Sequence, residues 1–204
     1  MKVHEAASQI NLIWTQISRT ACFRGYRPAT VAGTGLLGLA TAIVQRWIVP
    51  DPLAHPDTYL VLWVAVATVS VVLVGYELIL GFLCTDSRLE RKLTQQAIRQ
   101  FSPCLCAGAL VTWFISSSHP ASVVLLPGLW ATCFGLGVFA SMPYVTPAVF
   151  WVGLYYLLAG SLALAKGDDG ISLQPWVMGG TFGIGQLLMA GTLLSAEERR
   201  DAQA

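Results

Sequence analysis

Residues 59–84 read YLVLWVAVATVSVVLVGYELILGFLC, with Glu77 as the only charged side chain in the run. Crossing the hydrocarbon core of a bilayer as a helix takes about 20 apolar residues. Lipid cannot satisfy an exposed backbone, so a run of this length is read as a transmembrane helix. It is also too long and too uniformly apolar for the alternating pattern of a barrel strand. Five further runs read the same way, at 29–49, 103–118, 121–141, 147–165 and 175–195. The expected fold is therefore an all-α membrane protein, a bundle of six transmembrane helices. The third run is the shortest and extends back toward Ala97.

Composition agrees. The chain has 204 residues, of which 55% are hydrophobic and 11% charged. A soluble domain carries about 25% charged residues. Residues 1–28 lack an apolar core followed by a small-residue cleavage site, so the first span is expected to serve as its own insertion signal.

Charge placement predicts the orientation. Lys2, Arg19, Arg24 and Arg27 precede the first span, Arg88, Arg91, Lys92 and Arg99 lie between the second and third, and Arg199 and Arg200 follow the last. Ten of the twelve Lys and Arg thus fall on one side, leaving Arg46 and Lys166 for the other. By the positive-inside rule both termini lie in the cytoplasm. The expected location is the cell membrane, as a multi-pass protein.

Three segments make up the expected organisation: a cytoplasmic amphipathic stretch 1–28, a transmembrane domain 29–195 and a cytoplasmic tail 196–204. In the first, Ile10, Ile13, Trp14, Ile17 and Ala21 recur on one helical face. Ser87-x-x-Glu90 fits a capping box for a helix running to Ser102, which Pro103 is expected to bend or restart. Arg27-Pro28-Ala29, Ser102-Pro103-Cys104 and Thr146-Pro147-Ala148 each open an outgoing span. Proline suits a first helical turn, and the recurrence predicts three antiparallel hairpins.

Glu77 is the sharpest candidate for chemistry. It lies about seven residues, or roughly 10 Å, from the inner end of its span. An acid at that depth costs a few kcal/mol unless it is paired, protonated or facing a cavity. Gln186, Thr112, Tyr155, Tyr156 and Cys133 fall at comparable depth and are expected to join it in a polar layer. One reading makes Glu77 a substrate, ion or proton site. The other makes it a structural carboxylate paired with Arg24 or Arg27.

The glycines point to packing. Gly33-x-Gly35-x-x-Gly38 matches a dinucleotide fingerprint as a string, but that fingerprint needs a strand and a soluble βαβ unit. Inside a span it is read as a helix-packing face. Gly179-x-x-x-Gly183 is read likewise, with self-association as the alternative. Cys22, Cys84, Cys104 and Cys106 gather near the cytoplasmic face and are expected to be free thiols. Asp51, His55, Asp57, His119, Asp168 and Asp169 are read as solvated loop ends on the outer side. No metal and no cofactor is expected. Trp47, Tyr59, Trp113, Tyr144, Trp151 and Trp176 near span ends are read as interfacial anchors.

The run Arg24-Gly25-Tyr26-Arg27-Pro28-Ala29-Thr30, and later Leu126-Pro127-Gly128-Leu129-Trp130 with Gly135–Gly137, resemble a group of uncharacterised small bacterial six-helix integral membrane proteins. The resemblance covers most of the chain, implies no assigned activity and carries over no site residue. The sequence then predicts a non-enzymatic accessory, sensor or ligand- or partner-binding subunit. Its partners would be the lipid bilayer, a membrane or cytoplasmic protein or a second copy of the chain, and not nucleic acid. The alternative is a small transporter or channel built on Glu77. A membrane enzyme comes third, for want of an inward set of His, Asp and Glu.

Overall fold

A computed structural model describes residues 27–84, 88–167 and 170–202, with the side chains of 88–90, 200 and 201 left aside. The expected amphipathic helix before Arg27 lies outside the described residues. Every regular element among them is helical: α1 (Pro28–Ile48), α2 (Pro56–Cys84), α3 (Arg88–Ser118), α4 (Leu126–Ser141), α5 (Val149–Ala165), α6 (Pro175–Met178) and α7 (Gly185–Asp201). A π-helical turn, Gly179–Ile184, joins α6 to α7, and 3₁₀ turns precede α4, follow it and precede α6. Five stretches are helical, long and apolar enough to cross a membrane, and α5 is a shorter apolar helix.

Successive helices run antiparallel, but the closest packing is not within the three expected hairpins. α4 crosses α5 where Gly128 meets Gly160 and Gly135 meets Gly153. α1 crosses the sixth span where Gly35 and Gly38 meet Gly183 and Ala42 meets Gly179. At Gly35, Gly128, Gly160 and Gly179 a Cβ would come within 3 Å of the facing helix, so small residues there let the helices pair closely. By contrast α2 is rich in branched residues, its Gly75 and Gly81 face open space, and most of its surface is exposed.

Two apolar clusters fill the bundle. One, at the Arg27 end, gathers Val31, Leu78, Ala97, Val138, Val149 and Leu193 around Tyr156. The other, at the far end, gathers Val49, Tyr59, Trp63, Val123, Leu126 and Leu173. Phe182, on the π-helical turn, packs against both.

Several boundaries differ from expectation. α3 runs unbroken from Arg88 through Pro103 to Ser118. Pro103 cannot donate to the Arg99 carbonyl, and the Ser102 hydroxyl donates to that carbonyl in a long contact of 3.5 Å. The repeated proline does not mark helix starts: Pro28 opens α1, Pro103 is internal and Pro147 precedes α5. Pro127 sits in the first turn of α4, which begins at Leu126 rather than near Ala121. The expected tail is helical as far as Asp201. Tyr59, expected at an interface, is fully buried, whereas Trp47, Trp113, Trp151 and Trp176 are exposed.

Candidate functional site

The predicted polar residues do not form one layer. Thr112 and Tyr155 bond to different groups, since a buried polar atom takes a complementary group within its reach. In α3, Thr112 donates to the Gly108 carbonyl and accepts from Trp130 Nε1 at 2.7 Å. Trp130 packs against the far cluster, at the opposite end of the bundle from Glu77. Gln186 in α7 is half-buried and lies against α1, where a Cβ at Gly35 would meet its own Cβ at 3.1 Å.

Glu77 stands in α2 with its neighbours Val74 and Leu78 in the Arg27-end cluster. Its Oε1 is 3.5 Å from Arg27 Nε, at the residue that precedes α1. The carboxylate is 15% exposed and the guanidinium 80%. The other oxygen, Oε2, is buried without a hydrogen-bond partner among the described residues. Half of this carboxylate is therefore neutralised by a solvated cation, and half is held in a dry environment. Arg24, the other cation considered for it, lies outside the described residues.

Tyr155 and Tyr156 are adjacent on α5 and do different work. The Tyr155 hydroxyl donates to the Gly180 carbonyl at 2.6 Å. A π-helical turn inserts one residue into the α ladder and misaligns its carbonyls, so a side-chain donor from α5 helps to hold the wide turn. Tyr156 is fully buried; its ring packs against Phe134 and Phe182, and its hydroxyl has no hydrogen-bond partner among the described residues. That ring fills the space beside Gly185, where a Cβ would overlap it. Tyr155→Phe should lower stability by about 1 kcal/mol, the net value of one such hydrogen bond. A thermal melt in detergent reads this directly, and an unchanged melting temperature would show that the turn holds without it.

The glycines proposed for packing divide. At Gly35 a Cβ would lie 2.9 Å from the Gly183 carbonyl oxygen, and at Gly179 it would lie 2.5 Å from the Ala42 Cβ. Gly38 approaches Gly183 at 3.7 Å, whereas Gly33 faces open space.

One fully buried polar side chain has no counterpart among the sequence expectations. Gln45 in α1 has no exposed surface. Its Nε2 donates to the Leu173 carbonyl at 2.9 Å, and its Oε1 accepts from Trp63 Nε1 at 2.8 Å. Nearby, the Ser172 hydroxyl donates to the Val124 carbonyl. These bonds tie α1, α2 and the two loops before α4 and α6 into a closed far end. A glutamine near a span end reads as solvated, so its role emerges only once α2 is placed beside it.

Two grooves flank the interrupted sixth span. The larger, about 1240 Å³, lies between α1 and the α6–π segment, with Ala42, Ile43, Gly179 and Ile184 in its walls and Arg46 as its only charged group among the described residues. The smaller, about 320 Å³, lies between α5 and the same segment and is lined by Lys166. Trp176 and Gly180 border both. Among the described residues no three Cys, His, Asp or Glu side chains converge as metal ligands. Cys84, Cys104, Cys106 and Cys133 are free thiols. At the far loops Asp51 Oδ1 accepts from the N–H groups of Leu53 and Ala54, and the His119 ring rests 5.5 Å from that of Phe114.

No known family model, curated protein or solved structure matches the chain, which is consistent with the uncharacterised group it resembles and assigns it no activity.

Proposed function

We propose that the chain is a six-span integral membrane protein, with both termini on the cytoplasmic side, that works by binding a ligand at its interrupted sixth span rather than by catalysis. The larger groove carries this reading. It is apolar along its walls, polar only at one end, and bounded by a π-helical turn whose carbonyl is held from α5. Ligand sites are mostly apolar concavities with a few placed polar groups, and π turns recur at functional sites. Ten of twelve cations on one side support the orientation. An accessory or sensor role follows naturally from ligand occupancy that changes how α1 and the sixth span pack.

A second reading, a small transporter or channel, rests on one observation: the buried, unpartnered Oε2 of Glu77. Coupling carboxylates sit at such positions. One feature weighs against it: Glu77 is paired with Arg27.

Glu77→Gln separates the two readings. Under the binding reading it weakens the tie between α1 and α2 by about 1 kcal/mol, a small cost because Arg27 is largely solvated. Stabilisation by a groove ligand should survive. Loss of that stabilisation in Glu77→Gln, read by thermal melts with and without amphiphile, would replace the binding reading with the transport one.

A further inference from the structure

We propose that the larger groove holds an anionic phospholipid, with its phosphate on Arg46 and its acyl chains along α1 and the π-helical turn. The inference rests on the binding reading above and gives that ligand a chemical class. Arg46 lies in the last turn of α1 and is exposed at one end of the groove. Beside it stand Trp47 and Trp176, 72% and 66% exposed, on the two helices that form the walls. Paired indoles at a span end mark the headgroup level, so the guanidinium sits where a phosphate would lie and the apolar walls descend where chains would lie. Arginine binds phosphate oxygens in a bidentate fork.

Charge selects the headgroup. Among the described residues, no carboxylate lines the larger groove. Asp51, adjacent to Pro50 and Pro52 at the groove's edge, turns its Oδ1 to loop N–H groups. A zwitterionic headgroup would set its own ammonium beside Arg46, whereas an anionic one would not. The Lys166 groove has related chemistry, but its 320 Å³ against 1240 Å³ leaves it too small to hold a comparable lipid.

The test uses the full-length chain, delipidated in mild detergent and titrated in native mass spectrometry with phosphatidylglycerol and phosphatidylcholine of identical acyl chains. Phosphatidylglycerol should be retained about tenfold more tightly, the scale of one charge-assisted contact. Arg46→Gln should erase the preference and Lys166→Gln should keep it. Both side chains are exposed, and unchanged thermal melts would confirm intact folding. Gly180→Leu is the second variant. A Cβ there meets nothing within 4 Å, so the new side chain projects into open space at the border of the grooves and should weaken both lipids together. Equal retention of the two lipids, or a preference that survives Arg46→Gln, overturns the phosphate assignment while leaving the groove as a binding site. Retention of neither lipid, or lipid binding indifferent to Gly180→Leu, overturns the groove reading as well.

Discussion

Gly160→Val is expected to destabilise the bundle by about 3 kcal/mol, toward the upper end of the range for overpacked sites. A Cβ at Gly160 would lie 2.7 Å from Thr132 Oγ1, 2.9 Å from the Gly128 carbonyl oxygen and 3.0 Å from the Thr132 nitrogen. Two of those three atoms are backbone, so no rotamer change relieves the overlap. α4 and α5 must separate, and their whole interface, including the Gly135–Gly153 approach, is lost with them. In lipid no hydrophobic force draws helices together, so close backbone packing is a main source of their association. Gly75→Ala supplies the control. The glycine is in mid-α2 with nothing within 4 Å of a new Cβ, and the change should be neutral or stabilising by up to about 1 kcal/mol through helix propensity. Thermal or denaturant unfolding in detergent measures both. A Gly160→Val protein as stable as the parent would mean that the α4–α5 crossing does not hold the bundle.

The contrast between Gly160 and Gly75 also marks how far the sequence could be read. The number and rough limits of the apolar helices follow from run length, because a long uninterrupted apolar run has one regular way to satisfy its backbone. Helix pairing does not follow. Glycines occur in α1, α2, α4, α5 and the sixth span alike, and only the rotation of each helix decides which face a partner. Gly33 and Gly35, two residues apart, point to different sides, one into open space and one against Gly183. Depth along a span misled for the same reason. Thr112 and Glu77 were placed together by counting from helix ends, yet α3 continues unbroken from Arg88, and Thr112 belongs to the far cluster with Trp130. The Arg27–Glu77 pair was legible because charge leaves few alternatives: a carboxylate inside a span needs a cation within reach of its own depth. The grooves were not legible at all. They arise between α1, the π-helical turn and α5, and no single run of the sequence reveals a concavity between three segments.

Gln45→Leu is expected to cost about 2–4 kcal/mol, because it removes the side chain that meets both the Trp63 indole and the Leu173 carbonyl at the far end. The two partners stay buried when the amide is gone, and each unpaired group costs about 1–3 kcal/mol. Leucine matches the apolar surroundings, so the loss is one of hydrogen bonding rather than of volume. Trp63→Phe alone removes one donor and one partner at once and should cost less. Combined with Gln45→Leu it should restore part of the loss, since the indole N–H that lacked an acceptor is no longer there. The double-mutant cycle should therefore show a coupling above about 1 kcal/mol between the two sites, with the Leu173 carbonyl still unpaired in the double variant. Unfolding of the four proteins in one detergent supplies the cycle. Additive losses would mean that Gln45 and Trp63 contribute independently, and the hydrogen bond between them would then not be what closes this end. If the coupling holds, the closure has a functional consequence. α1 is fixed by Gln45 on one side and lines the larger groove with Ala42, Ile43 and Arg46 on the other, so loosening Gln45 should also weaken the binding of any ligand that the groove holds.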